Sequence, residues 1–255
     1  MKKALVTALV VSVAAAILLA GCSGKQSAGQ YKDGTYKATY NAFDGHGWKP
    51  ELEVTVSGGK VSAATFDYVN KQGQLKTNDE NYATLMKKQA GTTPKEYTAA
   101  LQKELLAKQA AGVDAVTGAT EGSAEFNELA SALLAKAKTG DASATVLPMN
   151  ATYTASVPKF DSHGWKGQIA VTFKDNKITT VSYDEVNKDK QLKTKDTSYA
   201  ERMSAKSGVT PSAAYSKLEK ELISAQDPSK VDAVTGATEG SHTFIELAKE
   251  AIAQR

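Results

Sequence analysis

The eleven residues VDAVTGATEGS at Val113–Ser123 occur a second time, letter for letter, at Val231–Ser241. Elsewhere the two halves of the chain have exchanged apolar residues for others of similar volume, as a packed core allows. A stretch that stays identical while its surroundings diverge is more than a packing solution. The repeat therefore predicts a chemical site that is present in two copies.

Each copy leads into a predicted helix. Glu121–Lys138 and Glu239–Ala253 place apolar residues at helical spacing. Gly118 permits a positive φ angle in the turn before the first helix, so Thr120 and Thr238 lie at the helix mouths. A helix N-terminus presents free backbone N–H groups and the positive end of a dipole, which suits a phosphate. The alternative is that the two threonines are only N-caps, which would leave the identity of the eleven residues unexplained.

Asp114-Ala-Val-Thr-Gly-Ala-Thr120 and Asp232-Ala-Val-Thr-Gly-Ala-Thr238 resemble the flavinylation motif D-x-x-[S/T]-G-A-T. This motif belongs to the FMN-binding domain family, which includes flavin-carrying subunits of sodium-pumping NADH:quinone reductase and of the Rnf complex. In that family a Mg-dependent flavin transferase moves FMN from FAD onto the hydroxyl of the last Thr, as a phosphoester. The resemblance implies two covalent FMN groups, one on Thr120 and one on Thr238. The other implied cofactor contacts of the motif are Asp114, Thr117, Gly118 and Ala119 in the first copy and Asp232, Thr235, Gly236 and Ala237 in the second.

The N-terminus has the features of a secretion signal over Met1–Gly21. Lys2 and Lys3 precede the apolar run Ala4–Ala20, and the segment ends in Leu-Ala-Gly before Cys22. This ending resembles the lipobox of bacterial lipoproteins, which implies cleavage before Cys22 and acyl chains such as palmitate attached there. Lipid on Cys22 would anchor the protein to the outer, extracytoplasmic face of the cell membrane. Because the chain has no second cysteine, an intramolecular disulfide is excluded.

The internal repeat extends far beyond the motif. Asp44–Lys49 (DGHGWK) matches Asp161–Lys166 (DSHGWK), and Gln74–Thr77 matches Gln191–Thr194 letter for letter. The small, polar residues between the repeats are typical of a linker. We therefore predict a signal peptide at 1–21, a flexible tether at 22–30, a first FMN-binding domain at 31–138, a linker at 139–145 and a second FMN-binding domain at 146–255.

Each domain is predicted to be α+β, with an antiparallel sheet packed against helices. Turn signals at Gly58-Gly59 and Asp175–Lys177 predict two hairpins. Thr93–Glu96 has the pattern of a capping box, with Pro94 at the first helical position. The predicted strands are Gly34–Ala42, Glu51–Val56, Val61–Tyr68, Gln168–Phe173 and Ile178–Tyr183, and further helices begin near Asn78, Asp196 and Pro211.

A second pair of candidates lies in the repeated pattern Asp-x-His-Gly-Trp. Trp48 and Trp165 are the only tryptophans, and His46 and His163 are two of the three histidines. An aromatic ring can stack on the isoalloxazine ring of FMN, and a His can donate a hydrogen bond that tunes its potential. The alternative is a turn in which glycine bends the chain and Trp fills the core. One Asp and one His per domain are too few to predict a metal site.

The matching loops Asn70–Asp79 and Asn187–Asp196 carry Lys76 and Lys193. A lysine near the phosphate or near the N1–C2=O edge of the flavin would stabilise the anionic reduced form. The simpler interpretation, which we favour from the sequence, is a solvated loop followed by a helix cap.

The formal net charge of +3 is close to balance, which argues against nucleic acid as a partner. FMN accepts two electrons and can pass them on singly. A lipid-anchored chain with two covalent FMN groups resembles the flavoprotein lipoproteins of Gram-positive extracellular electron transfer. This resemblance implies an electron carrier and no catalytic reaction of its own. Its donor would be a membrane quinol or an NADH dehydrogenase, and its acceptor an extracellular species such as ferric iron.

Two alternatives remain open at this point. The chain could be an FMN-dependent reductase component that acts on a small-molecule acceptor. It could also be a non-redox surface binding module made of tandem repeats, in which the motif threonines only cap helices.

The lipid anchor gives a first testable prediction. Cys22→Ala is expected to release the protein from membranes or to block its processing, because no other cysteine can accept the lipid. Detergent partitioning measures the retained fraction, and Ser23→Ala serves as the control that keeps the cysteine. Unchanged membrane retention of Cys22→Ala would refute the anchor.

Overall fold

The computed structural model describes residues 30–255, so the predicted signal peptide, Cys22 and the tether up to residue 29 lie outside the described residues. The described chain forms two α+β units, each with its own sheet and its own apolar core. The predicted fold class, two similar tandem units of antiparallel strands packed with helices, is confirmed.

The two units have closely similar element orders. In each, three strands are followed by a short 3-10 turn and three α-helices, the last of which starts inside the repeated stretch. The first unit contains β1 (Gly34–Tyr40), β2 (Trp48–Ser57), β3 (Lys60–Asn70), α1 (Glu80–Ala90), α2 (Pro94–Lys108) and α3 (Thr120–Thr139). After β4 (Thr145–Leu147), the second unit contains β5 (Ala151–Ser156), β6 (Lys166–Lys174), β7 (Lys177–Val186), α4 (Thr197–Ser207), α5 (Pro211–Ala225) and α6 (Thr238–Ile252).

The first sheet has one strand more than the sequence predicts. Its order is β3-β2-β1-β4, whereas the second sheet has the order β5-β6-β7. The extra strand β4 comes from the segment that joins the repeats, and it pairs in parallel with β1 from Ala38↔Thr145 to Tyr40↔Leu147. All other pairings are antiparallel. Three residues are too few to show the alternation by which a strand is predicted.

Strands β2 and β6 begin earlier than the sequence predicts, at Trp48 and Lys166 instead of Glu51 and Gln168. Pro50 argues against a central strand because it has no N–H for the ladder. The pairing of β1 with β2 ends at Glu51, so Pro50 is paired only with Tyr68 of β3. Trp48 is the first residue of β2, and Trp165 immediately precedes β6.

Polar side chains set the ends of the helices and hold them on the sheets. Thr93 and Glu96 form the predicted capping box of α2. At the other end of α2, the Gln109 amide bonds to the backbone of Val61 on β3 in both directions, at 2.8 and 2.9 Å. Gln226 makes the same pair of bonds to Ile178, at 2.7 and 2.9 Å. These contacts fix α2 and α5 against the outer strand of each sheet.

The last helix of each unit contributes a large part of the core. Phe126, Leu129 and Leu133 of α3 are completely buried, as their helical spacing predicts. Phe126 meets Phe66 of β3 edge to face with ring centroids 5.0 Å apart. Phe244 of α6 packs in the same way on the second sheet. The N-terminus of this helix, where the repeated stretch ends, is therefore held in place by the core behind it.

Candidate functional site

The repeated stretch forms a tight turn followed at once by a helix. In the first copy the Ala119 N–H donates to the Val116 carbonyl at 2.9 Å, and Gly118 has φ +78°. In the second copy Ala237 donates to Val234 at the same distance, and the glycine has φ +84°. A glycine with positive φ at the third turn position fits a type II turn. The predicted role of this glycine is confirmed.

A buried serine at the end of the stretch locks this turn to the helix. The Ser123 hydroxyl donates to the Ala119 carbonyl at 2.8 Å and accepts from the Val116 N–H at 3.0 Å. Ser241 makes the same two bonds in the second copy, with the same distances. The serine is therefore fixed by hydrogen bonding inside the protein. This explains why both copies have a serine at this position, but it does not explain why their exposed residues are also identical.

The motif threonines are the first residues of their helices and lie on the surface. The N-cap positions are Ala119 and Ala237, and neither helix has a side-chain cap. Thr120 and Thr238 are both exposed. The interpretation of these threonines as N-caps is therefore wrong. Their hydroxyls stand at the positive end of a helix dipole, where a negatively charged group is stabilised.

The glycine of the turn also brings the stretch into close contact with a second helix. A Cβ on Gly118 would overlap the carbonyl oxygen of Ala90, the last residue of α1. A Cβ on Gly236 would lie 2.7 Å from the carbonyl oxygen of Ser207, at the end of α4. The turn therefore sits directly on the C-terminal end of α1 or α4, and this contact shapes one side of the site.

The pattern Asp-x-His-Gly-Trp forms a turn, which is one of the two interpretations that the sequence left open. One carboxylate oxygen of Asp44 accepts from the backbone N–H groups of His46 and Trp48, each at 2.8 Å. Asp161 holds the second copy of this turn in the same way. Both tryptophans are buried and meet a tyrosine ring edge to face, whereas both histidines are exposed. Each Asp therefore has a structural role.

The second unit contains a cavity of about 1030 Å³ that brings most of the candidates together. Thr238 lies on its wall with His163 and Trp165. Gly236 and Ala237 also line it, but Asp232 and Thr235 do not. Asp114 and Thr117 are exposed on the surface, as are Asp232 and Thr235. Asp232 and Thr235 are therefore on the outer surface away from the cavity, whereas Thr238 is exposed at the cavity wall.

A buried lysine is the feature that the sequence interpretation missed. Lys193 is 7% exposed and lines the cavity. Its Nζ lies 4.5 Å from the ring centroid of Tyr199 and 5.5 Å from that of Trp165. It also forms an ion pair with Glu185 at 2.6 Å. Burial lowers the pKa of Lys193, but the hydrogen bond and the charge of Glu185 outweigh this, so the pKa ends above its ordinary value.

Lys76 occupies the same position in the first unit, but its surroundings differ. It is also 7% exposed, and its Nζ lies 4.6 Å from the ring centroid of Tyr82 and 4.3 Å from that of Tyr68. Tyr68 stands where the second unit has Glu185. Lys76 forms no ion pair within residues 30–255. The prediction of a solvated loop is therefore wrong for both lysines. Their recurrence inside the pattern Gln-Leu-Lys-Thr was the available signal.

A carboxyl group reaches the first site from another element. Tyr68 donates to Glu125 of α3 at 2.6 Å. Burial raises the pKa of Glu125 to about 7, with a further rise from Glu121 and Asp44, although the hydrogen bond from Tyr68 and the charge of Lys76 oppose it. The second unit has Thr243 at this position. Each site thus places one carboxyl group near its lysine, from a strand in one unit and from a helix in the other.

The arrangement fits a cofactor that has a phosphate and a flat aromatic part. An exposed hydroxyl at a helix N-terminus suits the phosphate, the tryptophan and tyrosine form an aromatic wall, and the lysine supplies a positive charge beside it. The residues present therefore fit FMN. Thr238, Trp165 and Lys193 would hold it in the second unit, and Thr120, Trp48 and Lys76 in the first. Such a site defines a flavin-binding protein.

Comparisons with known proteins agree with this class. A family model described as FMN-binding domain matches residues 164–253. The chain is 40% identical over 132 residues to a 15 kDa lipoprotein of Treponema pallidum (strain Nichols), covering 51% of this chain and 91% of that relative. The chain belongs to the FMN-binding domain family.

Two solved structures are also similar to this chain. A crystal structure of a protein from Clostridium perfringens is 35% identical and covers 47% of this chain and 98% of its own, with a TM-score of 0.46. A solution NMR structure of a protein from Clostridium thermocellum is 25% identical and covers 41% of this chain and 89% of its own, with a TM-score of 0.29.

Two features are absent from residues 30–255. No helix in this range combines the length and the apolar character needed to cross a membrane. No group of three or more His, Cys, Asp and Glu side chains in the same range is arranged to hold a metal ion.

The close contact at the motif turn predicts an unusual cost for one glycine. Gly118→Ala has to accommodate both a positive φ and an overlap with the Ala90 carbonyl. Gly112→Ala is the matched control, since Gly112 has φ +83° and nothing within 4 Å of an added Cβ. The control should lose about 1–2 kcal/mol of unfolding free energy, and Gly118→Ala clearly more. Equal losses in urea denaturation would contradict the close contact.

The raised pKa of Glu125 predicts a pH dependence of stability. Between its ordinary pKa of 4.5 and about 7 the folded chain keeps a proton that the unfolded chain has lost, so stability falls as the pH rises. The free energy of unfolding should fall between about pH 5 and about pH 8, and Glu125→Gln should make this fall smaller by about 2 kcal/mol.

Glu128→Gln is the matched control for this measurement. Glu128 lies on the same helix and also accepts a hydrogen bond from a tyrosine, at 2.7 Å, but it is exposed. Urea denaturation of the flavin-free chain at both pH values gives the comparison. If Glu125→Gln and Glu128→Gln showed the same pH dependence as the unchanged chain, the assignment of the buried carboxyl would be wrong.

Proposed function

We propose that this protein is a membrane-anchored electron carrier with two covalent FMN groups, one on Thr120 and one on Thr238. The observation that carries the proposal is the pair of identical motifs, each of which puts an exposed threonine hydroxyl on a helix N-terminus. In the second unit this hydroxyl shares a cavity with an aromatic wall and a buried lysine. Membership of the FMN-binding domain family supports the choice of cofactor.

Attachment requires a separate flavin transferase with FAD and Mg²⁺. The threonine oxygen would form a bond to the phosphorus of the FMN half of FAD as the pyrophosphate bond breaks; AMP would leave, and the hydroxyl proton would pass to solvent or to a base of the transferase. The transferase has to approach the acceptor from outside. The exposed side chains Asp114 and Thr117, with Asp232 and Thr235 in the second copy, support this requirement because they leave the motif open to a partner.

The residues around each threonine have distinct tasks in this proposal. The free N–H groups at the helix start stabilise the phosphoester charge. Trp165 and Tyr199 would give the flavin ring an apolar neighbour, and Lys193, whose charge Glu185 balances, would offer it a buried N–H donor. FMN itself supplies two-electron acceptance and one-electron release. Covalent attachment keeps the cofactor in place outside the cell, where lost FMN could not be replaced.

The lipoprotein features support a location at the membrane, and the electron donor and acceptor are part of the proposal. The relative in Treponema pallidum is named a lipoprotein, which supports lipid attachment at Cys22 and a position on the outer face of the membrane. There the carrier would take electrons from a membrane quinol or an NADH dehydrogenase. It would deliver them to an extracellular acceptor such as ferric iron. The protein would have no catalytic reaction of its own.

The first experiment is the intact mass of the protein purified from its native membrane. We expect two additions of one FMN each, on the peptides that contain Thr120 and Thr238. Thr120→Ala and Thr238→Ala should each remove one addition, and the double variant both. The double Thr→Ser variant is the control that keeps a hydroxyl at each position.

The double Thr→Ala variant should remain as stable as the unchanged chain without flavin, within about 0.5 kcal/mol, because neither hydroxyl caps its helix. Covalent flavin retained in this variant would defeat the site assignment. A colourless protein from a cell that flavinylates other proteins would instead favour the non-redox binding module.

A further inference from the structure

Four positively charged side chains line the cavity in the second unit. Lys159, Arg202 and Lys206 are exposed, and Lys166 is half-buried. None of the four forms an ion pair with any residue that the structure describes. We call these four residues the cationic rim. Arg202 and Lys206 are four residues apart on α4, so they lie on the same face of that helix.

The carboxylates of the cavity do not neutralise this rim. Glu185 is already paired with the buried Lys193 at 2.6 Å. Asp161 uses one oxygen for the backbone N–H groups of its own turn, and Glu239 is exposed. Four cations therefore face two carboxylates around one concave opening. Such an arrangement concentrates positive potential at the cavity mouth and attracts anions.

The first unit carries the same motif without this rim. Arg202 and Lys206 are replaced by Leu85 and Gln89, and Leu85 is 59% exposed. The lysines of α1 stand elsewhere, and Lys87 is paired with Glu96 at 2.8 Å. The other two rim positions correspond to Ala42 and Lys49, and Lys49 lies 3.6 Å from Glu51.

This comparison separates the rim from the attachment site. The first unit has the same eleven residues but no counterpart of Arg202 or Lys206, so the role of the motif does not depend on these two cations. A single phosphoester charge at a helix N-terminus also does not call for four further cations. The rim therefore matches a second, more highly charged anion that approaches from solution.

We propose that the cationic rim of the second unit docks a small, multiply charged anion, and that the first unit does not. The redox meaning of this site rests on the proposed function, in which such an anion would be the complex that exchanges electrons with the second flavin. Ferric iron held by a polycarboxylate chelator has this chemistry. The docking itself depends only on the charges and the cavity.

The test uses hexacyanocobaltate(III), a compact trivalent anion that does not exchange electrons under these conditions. It is titrated into the full mature chain, both with flavin and as the Thr120→Ala, Thr238→Ala double variant, and followed by backbone amide NMR shifts. We expect shifts around Arg202 and Lys206 and none around Leu85 and Gln89. The affinity should fall as salt is added, because salt screens exposed charges.

The repeat supplies matched variants. Arg202→Leu with Lys206→Gln installs the residues of the first unit, and we expect at least a tenfold loss of affinity. Leu85→Arg with Gln89→Lys makes the reverse exchange, and we expect new shifts in the first unit. All four positions carry exposed or partly solvated helix side chains, and the amide spectrum reports whether each variant is folded.

The outcomes are distinct from those of the mass experiment. Equal shifts in both units, or an affinity that the exchange variants leave unchanged, would overturn the docking site. The proposal also fails if Arg202→Leu with Lys206→Gln loses flavin from Thr238 but keeps anion affinity, because the rim then serves the cofactor phosphate. Absence of flavin with intact anion binding would defeat the proposed function and leave the docking site standing.

Discussion

The structure of both sites depends on one buried hydroxyl. Ser123, and Ser241 in the second copy, ties the turn to the first turn of the last helix by accepting from one backbone group and donating to another. The motif threonine, three residues before the serine, does not cap the helix and lies on the surface. The core behind the helix holds the whole assembly, so the exposed hydroxyl has a rigid support.

Most of the fold could be predicted from the sequence, because its signals are local. The hairpin turns, the capping box at Thr93 and the apolar face of α3 depend on spacing within a few residues. The strand β4 could not be predicted, since three residues carry no pattern and its partner is distant in the chain. Lys76 and Lys193 were misjudged because a lysine in a polar loop is normally solvated. Their burial depends on tyrosine and tryptophan rings that only the tertiary fold brings together.

The two sites share a framework but not an electrostatic environment. In the second unit the buried lysine is paired with a strand carboxylate, and the surrounding surface is cationic. In the first unit Tyr68 occupies the position of that carboxylate, and its hydroxyl donates a hydrogen bond to Glu125 on α3. The positions that differ are therefore those that set charge, whereas those that set backbone geometry are unchanged. The two copies therefore keep the same motif turn but surround it with different charges.

The fourth strand of the first sheet limits how the two units can move. After β4 ends at Leu147, three residues remain before β5 begins, and one of them, Met149, is buried in the first core. The Met149 N–H is bound to Asn41, and the Tyr153 hydroxyl of β5 donates to the Phe43 carbonyl of the first unit. A connection this short, with these hydrogen bonds, restricts the motion of one unit relative to the other. The connection between the two sheets therefore acts as a short spacer of fixed length, which keeps the two motif turns at a constant separation.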